Sequence, residues 1–275
     1  MSLPATAWPA AASCRSPLVL DRPARPASVL AAFPAALYLD VDGSLLPVVT
    51  PDGLRLPTAL VLGGGLQASG WGVRPGDAVE VGSGRVRLPG ADVVAVRTWQ
   101  PRAVLPAPGP VRVPAGVDRG SAAWRPAAAA LAELLLDGQD PAPAVGALVG
   151  AGPGLTPSGD DVLCGVLLGL RLAARLDAVA TLGAAVRGRL GGTTTLSAAL
   201  LTEAVAGYAV PQVLRLASAL ARGDDRAAVA AAREVAAVGH SSGRDLLAGV
   251  VGALEACTPE VSALEACTTA LREAS

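Results

Sequence analysis

The spacing of apolar positions changes character near residue 115. From Ser28 to Gln100, short Val- and Leu-rich runs are punctuated by Asp42-Gly43, Pro51-Asp52-Gly53, Pro75-Gly76-Asp77 and Gly82-Ser83-Gly84, the alternation expected of strands joined by tight turns. Residues 101–117 carry prolines at 101, 106, 108, 110 and 114, which predicts a linker or an extended crossing strand rather than a helix. From Ser121 onward the period is helical, with helices expected over 122–136, 161–176, 178–190, 196–207, 211–222, 225–238 and 244–256. Pro126 and Pro211 fit first-turn positions and Asp224 fits a cap. The fold class expected is therefore α+β. A small N-terminal β-barrel or sandwich domain (28–115) is followed by a larger all-helical domain (116–275). Residues 1–27 have neither an early basic region nor an unbroken apolar run, and their prolines predict a soluble, partly disordered start.

Within the helical half, Gly150 to Asp161 reads GAGPGLTPSGDD and separates two strongly apolar runs. Glycines 150, 152, 154 and 159 permit positive φ and close approach of backbone N–H groups to a ligand, while Pro153 and Pro157 stiffen the path. The helix that follows would aim its unsatisfied first-turn N–H groups back at the loop, a ready place for an anion or polar oxygen. Asp160 or Ser158 could instead simply cap that helix.

The same device recurs downstream. Ser242-Gly243-Arg244-Asp245 opens an apolar helix as Ser158-Gly159-Asp160-Asp161 does, and Ser, Gly, Asp, Leu, Gly and Val match at a constant offset of 84 residues. Packing of the two helices through Gly165, Gly169 and Gly249 would bring Asp161 and Asp245 to one pocket. Just before the second turn, Gly239 is placed to end a helix in αL conformation. The only histidine, His240, follows it beside Ser241 and Ser242, where an imidazole can act as general acid or base or donate to an oxygen. Between the turns, Thr193-Thr194-Thr195 stands at a helix start. One threonine suffices to cap, which leaves others, Thr194 among them, for the pocket.

Composition narrows the classes. The chain has 275 residues, is 52% hydrophobic and carries a net charge of −1 with no basic cluster, so it offers no electrostatic footprint for nucleic acid. All its basic side chains apart from His240 are arginine, which excludes a lysine-dependent phosphate loop. Cys14, Cys164, Cys257 and Cys267 lack CxxC or Cys/His spacing. Structural zinc and a disulfide scaffold are not expected, and the thiols read as reduced, in a cytoplasmic protein. No stretch has the form of a membrane span. The sequence LEACT at 254 and again at 264 reads as a local duplication without function.

Three signatures in this order, GAGPGLTPSGDD at 150–161, TTTLS at 193–197 and GHSSGRDLLAG at 239–249, resemble the DUF2877 family. That family is similar to the third (AllH-type) subunit of bacterial oxamate carbamoyltransferase, a complex of allantoin and purine catabolism. Upstream, SVLAAFPAALYLDVDGSLLPVV, VRPGDAVEVGSGRVRL and Trp99-Gln100-Pro101 resemble the family's N-terminal half, so the likeness spans roughly residues 27 to 256. It implies a carbamoyltransferase subunit that works with other subunits on a small anionic substrate, without nucleic acid or membrane, and with oligomers open. Carbamoyl transfer needs its phosphate held, its carbonyl polarised and its attacking nitrogen oriented. Under this reading Gly152, Gly154, Thr156, Ser158, Gly159, Asp160, Thr194, Ser241, Ser242 and Gly243 form the anion-binding set. His240 polarises the carbonyl or assists the leaving phosphate, and Asp161 or Asp245 orients the amine. No cofactor is expected. Asp160 or Asp161 could hold Mg²⁺, although neighbours on a helix point about 100° apart and rarely chelate one ion together. A noncatalytic assembly or small-molecule-binding subunit is the competing expectation.

Overall fold

The computed structural model describes residues 6–64 and 70–258. The strands among the described residues are β1 (Thr6–Ser13), β2 (Arg25–Phe33), β3 (Ala36–Val41), β4 (Ser44–Val49), β5 (Leu60–Leu62), β6 (Ala78–Gly82), β7 (Arg85–Arg87) and β8 (Ala91–Trp99). They close into a barrel in the order β1-β5-β4-β3-β2-β6-β7-β8. Closure depends on β1, which pairs antiparallel with β5 and parallel with β8 from Thr6↔Ala91 to Ser13↔Trp99. This corrects the expected fold class of a small barrel or sandwich starting at residue 28 and followed by an all-helical domain. A sandwich would leave two open sheets, whereas here residues 6–13, read as part of a disordered start, form the strand that seals a single sheet and removes its edges. A short helix, α1 (Pro17–Leu20), follows β1 and buries Val19.

Local sequence explains the tight turns. Asp42 and Gly43 have φ of 55° and 77°, and Ser83 and Gly84 have 50° and 77°. Both pairs are two-residue hairpin loops between matched strands, Val41↔Ser44 and Gly82↔Arg85, the primed-turn geometry that follows the strands' twist. Inward-facing Leu37, Leu39, Val41, Leu46, Val48, Leu60, Val81, Val86 and Val93 fill the barrel.

Residues 101–117 run without a named strand across the helical half. Val104 N–H bonds Gly207 O, Ala107 N–H bonds Leu172 O, and Val111 and Val117 are buried. The helices are α2 (Arg125–Leu136), α3 (Ala142–Leu148), α4 (Ser158–Leu172), α5 (Leu176–Arg187), α6 (Thr195–Val205), α7 (Pro211–Ala221), α8 (Asp225–Ala236) and α9 (Ser242–Cys257). Pro126 and Pro211 lie in first turns, and Asp224 caps α8 by accepting from Ala227 N–H. The α3 helix was not among those expected; Pro141 stands at its N-cap and Pro143 in its first turn.

At the centre, α4 is buried from Gly159 through Leu170 on every side, as an all-round apolar helix must be. It packs against α9 with no side chain between them at one point. A Cβ on Gly165 would stand 2.1 Å from Leu246 O, and one on Gly249 would stand 2.2 Å from Val162 O. Contact of 165 with 249, and of 169 with 253, keeps the 84-residue offset, so the helices run parallel and start at the same end.

Barrel and bundle meet through Ala36, Leu45, Val49, Leu56, Ala59 and Val61, which enclose Leu196 of α6. Beside this patch Arg15 makes a two-pronged pair with Glu203, one prong at Nε–Oε2 and the other Nη2–Oε1 at 2.8 Å. Its guanidinium also lies 4.0 Å from the centre of the Tyr208 ring. Cys14, Cys164 and Cys257 are free thiols, while Cys267 and the second LEACT copy lie outside the described residues.

Candidate functional site

A cavity of about 640 Å³ opens between the barrel and the bundle, within the ~300–1,000 Å³ range of small-molecule sites. Its two ends differ. One is polar and holds Thr156, Asp161, His240, Ser241 and Ser242. The other is apolar and takes Phe33, Tyr38, Leu54 and Leu56 from the barrel with Leu196, Leu200, Val210 and Val213 from α6 and α7. Glu203 and Tyr208 also reach the wall.

The parallel pairing of α4 and α9 creates the polar end. Asp161 and Asp245 occupy equivalent first-turn positions and are 5% and 3% exposed. Oδ2 of each has no hydrogen-bond partner. Buried, unpaired carboxylate oxygens are costly in a core and call for an explanation. Above them the two turns are tied together by a 2.7 Å hydrogen bond between the Thr156 and Ser242 hydroxyls. Burial pushes the Asp161 carboxyl up to about 8. The Ser242 hydroxyl works against that shift, and the charges of Asp245 and Asp160 add to it, with Thr156 opposing more weakly. Near neutral pH Asp161 is therefore largely a neutral acid, able to donate as well as accept. Burial likewise raises the thiol of Cys164, one turn below and on the cavity wall.

Of the residues singled out in the sequence, Gly154, Thr156, Asp161, His240, Ser241, Ser242 and Gly243 line this cavity. His240 is exposed at its mouth. Asp245 lies behind Asp161 without lining the cavity. Gly152, Ser158, Gly159, Asp160 and Thr194 do not line it either, and most have identifiable structural partners. Neither Ser158 nor Asp160 caps α4, which starts at N-cap Pro157 without a side-chain cap bond. Asp160 instead accepts from Gly150 N–H at 2.9 Å and from the Thr193 hydroxyl. Both its oxygens are thus engaged, whereas the neighbouring Asp161 keeps one buried oxygen without a partner. Thr194 caps α6 through Ser197 N–H and donates to Leu155 O.

The first-turn amides are also partly spent. Gly159 N–H bonds Ala151 O and Gly243 N–H bonds Val238 O, each at 2.9 Å. Gly150, Gly152 and Gly154 all have positive φ, at 74°, 111° and 97°. Gly150 and Gly152 permit close backbone packing, since a Cβ would stand 2.4 Å from Gly192 O or 2.9 Å from Ser158 N, whereas Gly154 faces open space.

Sequence reasoning missed the barrel side of the cavity, and with it Phe33, Tyr38 and Leu54. It also missed Glu203, whose one local signal is an acid inside the apolar run TLSAALLTEAV. Among the described residues no group of three or more His, Cys, Asp or Glu is arranged to hold a metal ion, and no helix is long and apolar enough to cross a membrane.

Comparison with known proteins found no matching curated protein and no matching solved structure. The family model for oxamate carbamoyltransferase subunit AllH matches residues 148–254, from the end of α3 almost to the end of α9. That span contains both Ser-Gly-x-Asp turns, His240 and the threonine cluster, and it bears out the resemblance those motifs carry: through its α4–α9 region this chain is similar to the AllH subunit of oxamate carbamoyltransferase.

Proposed function

We propose that the chain is a subunit of a carbamoyltransferase-like complex and that the polar end of its cavity receives a carbamoyl group. The observation that carries this is the cavity-lining Asp161, with the buried Asp245 near it and an unpartnered oxygen on each, beside the Thr156 and Ser242 hydroxyls. A carbamoyl group offers N–H donors and a carbonyl acceptor, and such a set of acids and hydroxyls complements both. In the reaction expected of such a complex, the oxamate nitrogen attacks the carbamoyl carbon of carbamoyl phosphate. The new C–N bond replaces the C–O bond to phosphate, the nitrogen loses a proton, and oxalurate and phosphate leave. Asp161 orients the amide nitrogen. His240, at the mouth, donates to the carbonyl or to the departing phosphate. Gly154, Thr156 and the Ser241-Ser242-Gly243 turn supply the remaining polar contacts.

The cavity wall contains no arginine among the described residues, so the full charge of a phosphate would have to be met by His240, by hydroxyls and by groups from other subunits. That favours a second reading, in which this subunit binds a small molecule or assembles the complex without taking part in the chemistry. Reconstitution with the other subunits separates the two. A catalytic role predicts that Asp161→Asn and His240→Ala lower oxalurate formation by at least about tenfold, in the ~10²–10⁴ range that general acid–base groups command, with assembly intact by sedimentation. Unchanged turnover in an intact complex would leave the noncatalytic reading.

A further inference from the structure

The cavity is far larger than carbamoyl phosphate or oxamate requires. At ~30 Å³ per water, about 640 Å³ would hold on the order of 20 waters, whereas each of those molecules has only a handful of non-hydrogen atoms. The surplus space is at the apolar end. There Tyr38, Leu54, Leu200 and Val210 line the cavity and pack on the buried Leu56 and Leu196, yet each of the four is only half-buried and keeps accessible surface. Phe33 and Leu155, 46% and 42% exposed, line it as well. Water against such a wall has few polar partners, and an apolar group of matching size gains by displacing it.

The polar end offers hydroxyls and an imidazole. The unpartnered oxygen of Asp161 is buried and Glu203 is held by Arg15, whereas Thr156, Ser241, Ser242 and His240 line the cavity and keep accessible surface. Each hydroxyl has one donor and two acceptor positions, so the bond between Thr156 and Ser242 leaves capacity for a ligand. His240 and Ser241 are exposed, which lets a charged group held there keep part of its hydration. From this division we propose that the cavity binds an amphipathic carboxylate, with its head among Thr156, Ser241, Ser242 and His240 and its apolar body between the barrel and α6–α7. The proposal rests on the reading that this cavity is the ligand site, and adds to it the class of molecule: one that shares the carboxylate of oxamate and carries an apolar substituent that oxamate lacks.

Calorimetric titration of the full chain at pH 7 with butanoate and octanoate tests this. Each buried methylene adds roughly fourfold in affinity, so octanoate, four methylenes longer, should bind at least about tenfold more tightly than butanoate. Leu54→Trp and Leu200→Trp, one on the barrel side and one on α6 and each only half-buried, fill the apolar end and should abolish most of that advantage. Ser242→Ala removes a hydroxyl from the head-group end and should weaken octanoate about threefold or more. Thermal unfolding checks that each variant folds, and either tryptophan variant alone suffices. Equal binding of the two carboxylates, no octanoate binding, an octanoate advantage that survives in a folded tryptophan variant, or octanoate affinity indifferent to Ser242→Ala would each overturn the proposal. Failure of the functional reading looks different: an octanoate preference combined with oxalurate turnover indifferent to Asp161→Asn and His240→Ala keeps this ligand class and rejects the catalytic role.

Discussion

At the scale of single residues, Asp161 carries the strongest physical signature. Its carboxyl ionises near 3.8 in an unfolded chain and at about 8 in the fold. Between those values the folded state holds a proton that the unfolded state has released, so stability falls as pH rises through this window and levels off above it. Removing the charge with an isosteric amide removes the dependence. Asp161→Asn should therefore flatten the decline in unfolding free energy between about pH 4 and pH 8, and be more stable than the parent above pH 8. Urea unfolding at several pH values reads this; parallel curves for the two proteins would show that burial does not perturb Asp161. Asp160 next to it has a different task, because both its oxygens are engaged by Gly150 and Thr193. Adjacent acids with the same sequence signal thus divide into one that holds the loop and one that faces the cavity.

Among the elements, the α4–α9 pair determines whether the site exists. Its backbones touch where Gly165 meets Leu246 O and Gly249 meets Val162 O, with no flexible side chain that could yield to an added methyl group. Gly165→Ala or Gly249→Ala should push the helices apart and cost about 1–3 kcal/mol or more, as overpacking does. At roughly 2–4 °C per kcal/mol for a domain of this size, differential scanning calorimetry resolves that loss. Gly154→Ala is the informative contrast. Its Cβ would meet nothing within 4 Å, so its cost comes from the positive φ of 97° alone. If Gly165→Ala proved as mild as a surface substitution, the close helix contact would be wrong.

Across the whole molecule, the barrel and the bundle are joined by the Leu196 patch and by Arg15 on Glu203. Glu203 is 7% exposed, so truncating Arg15 strands a buried carboxylate. Arg15→Ala should destabilise the chain by about 1–3 kcal/mol, more than an exposed pair such as Arg112–Asp225, which is worth at most ~1 kcal/mol. Chemical denaturation of both variants makes the comparison.

What the sequence determined by itself is whatever depends on neighbours along the chain. The hairpin turns at Asp42-Gly43 and Ser83-Gly84, the first-turn prolines of α2 and α7, the Asp224 cap and the helical period from Ser121 onward are all set by local sterics and hydrogen bonding. The internal repeat also carried long-range content, since a constant offset of 84 residues between two glycine-marked helices anticipates their parallel contact, although of the two acids only Asp161 lines the cavity. Only the tertiary structure decided that β1 closes a barrel, because pairing of Thr6 with Ala91 leaves no trace in either segment. The same holds for the barrel's contribution of Phe33 and Tyr38 to the cavity, for the Arg15–Glu203 pair across 188 positions, and for the division of labour between Asp160 and Asp161. Each of these is fixed by which distant groups come within reach, and that distance is a property of the folded chain.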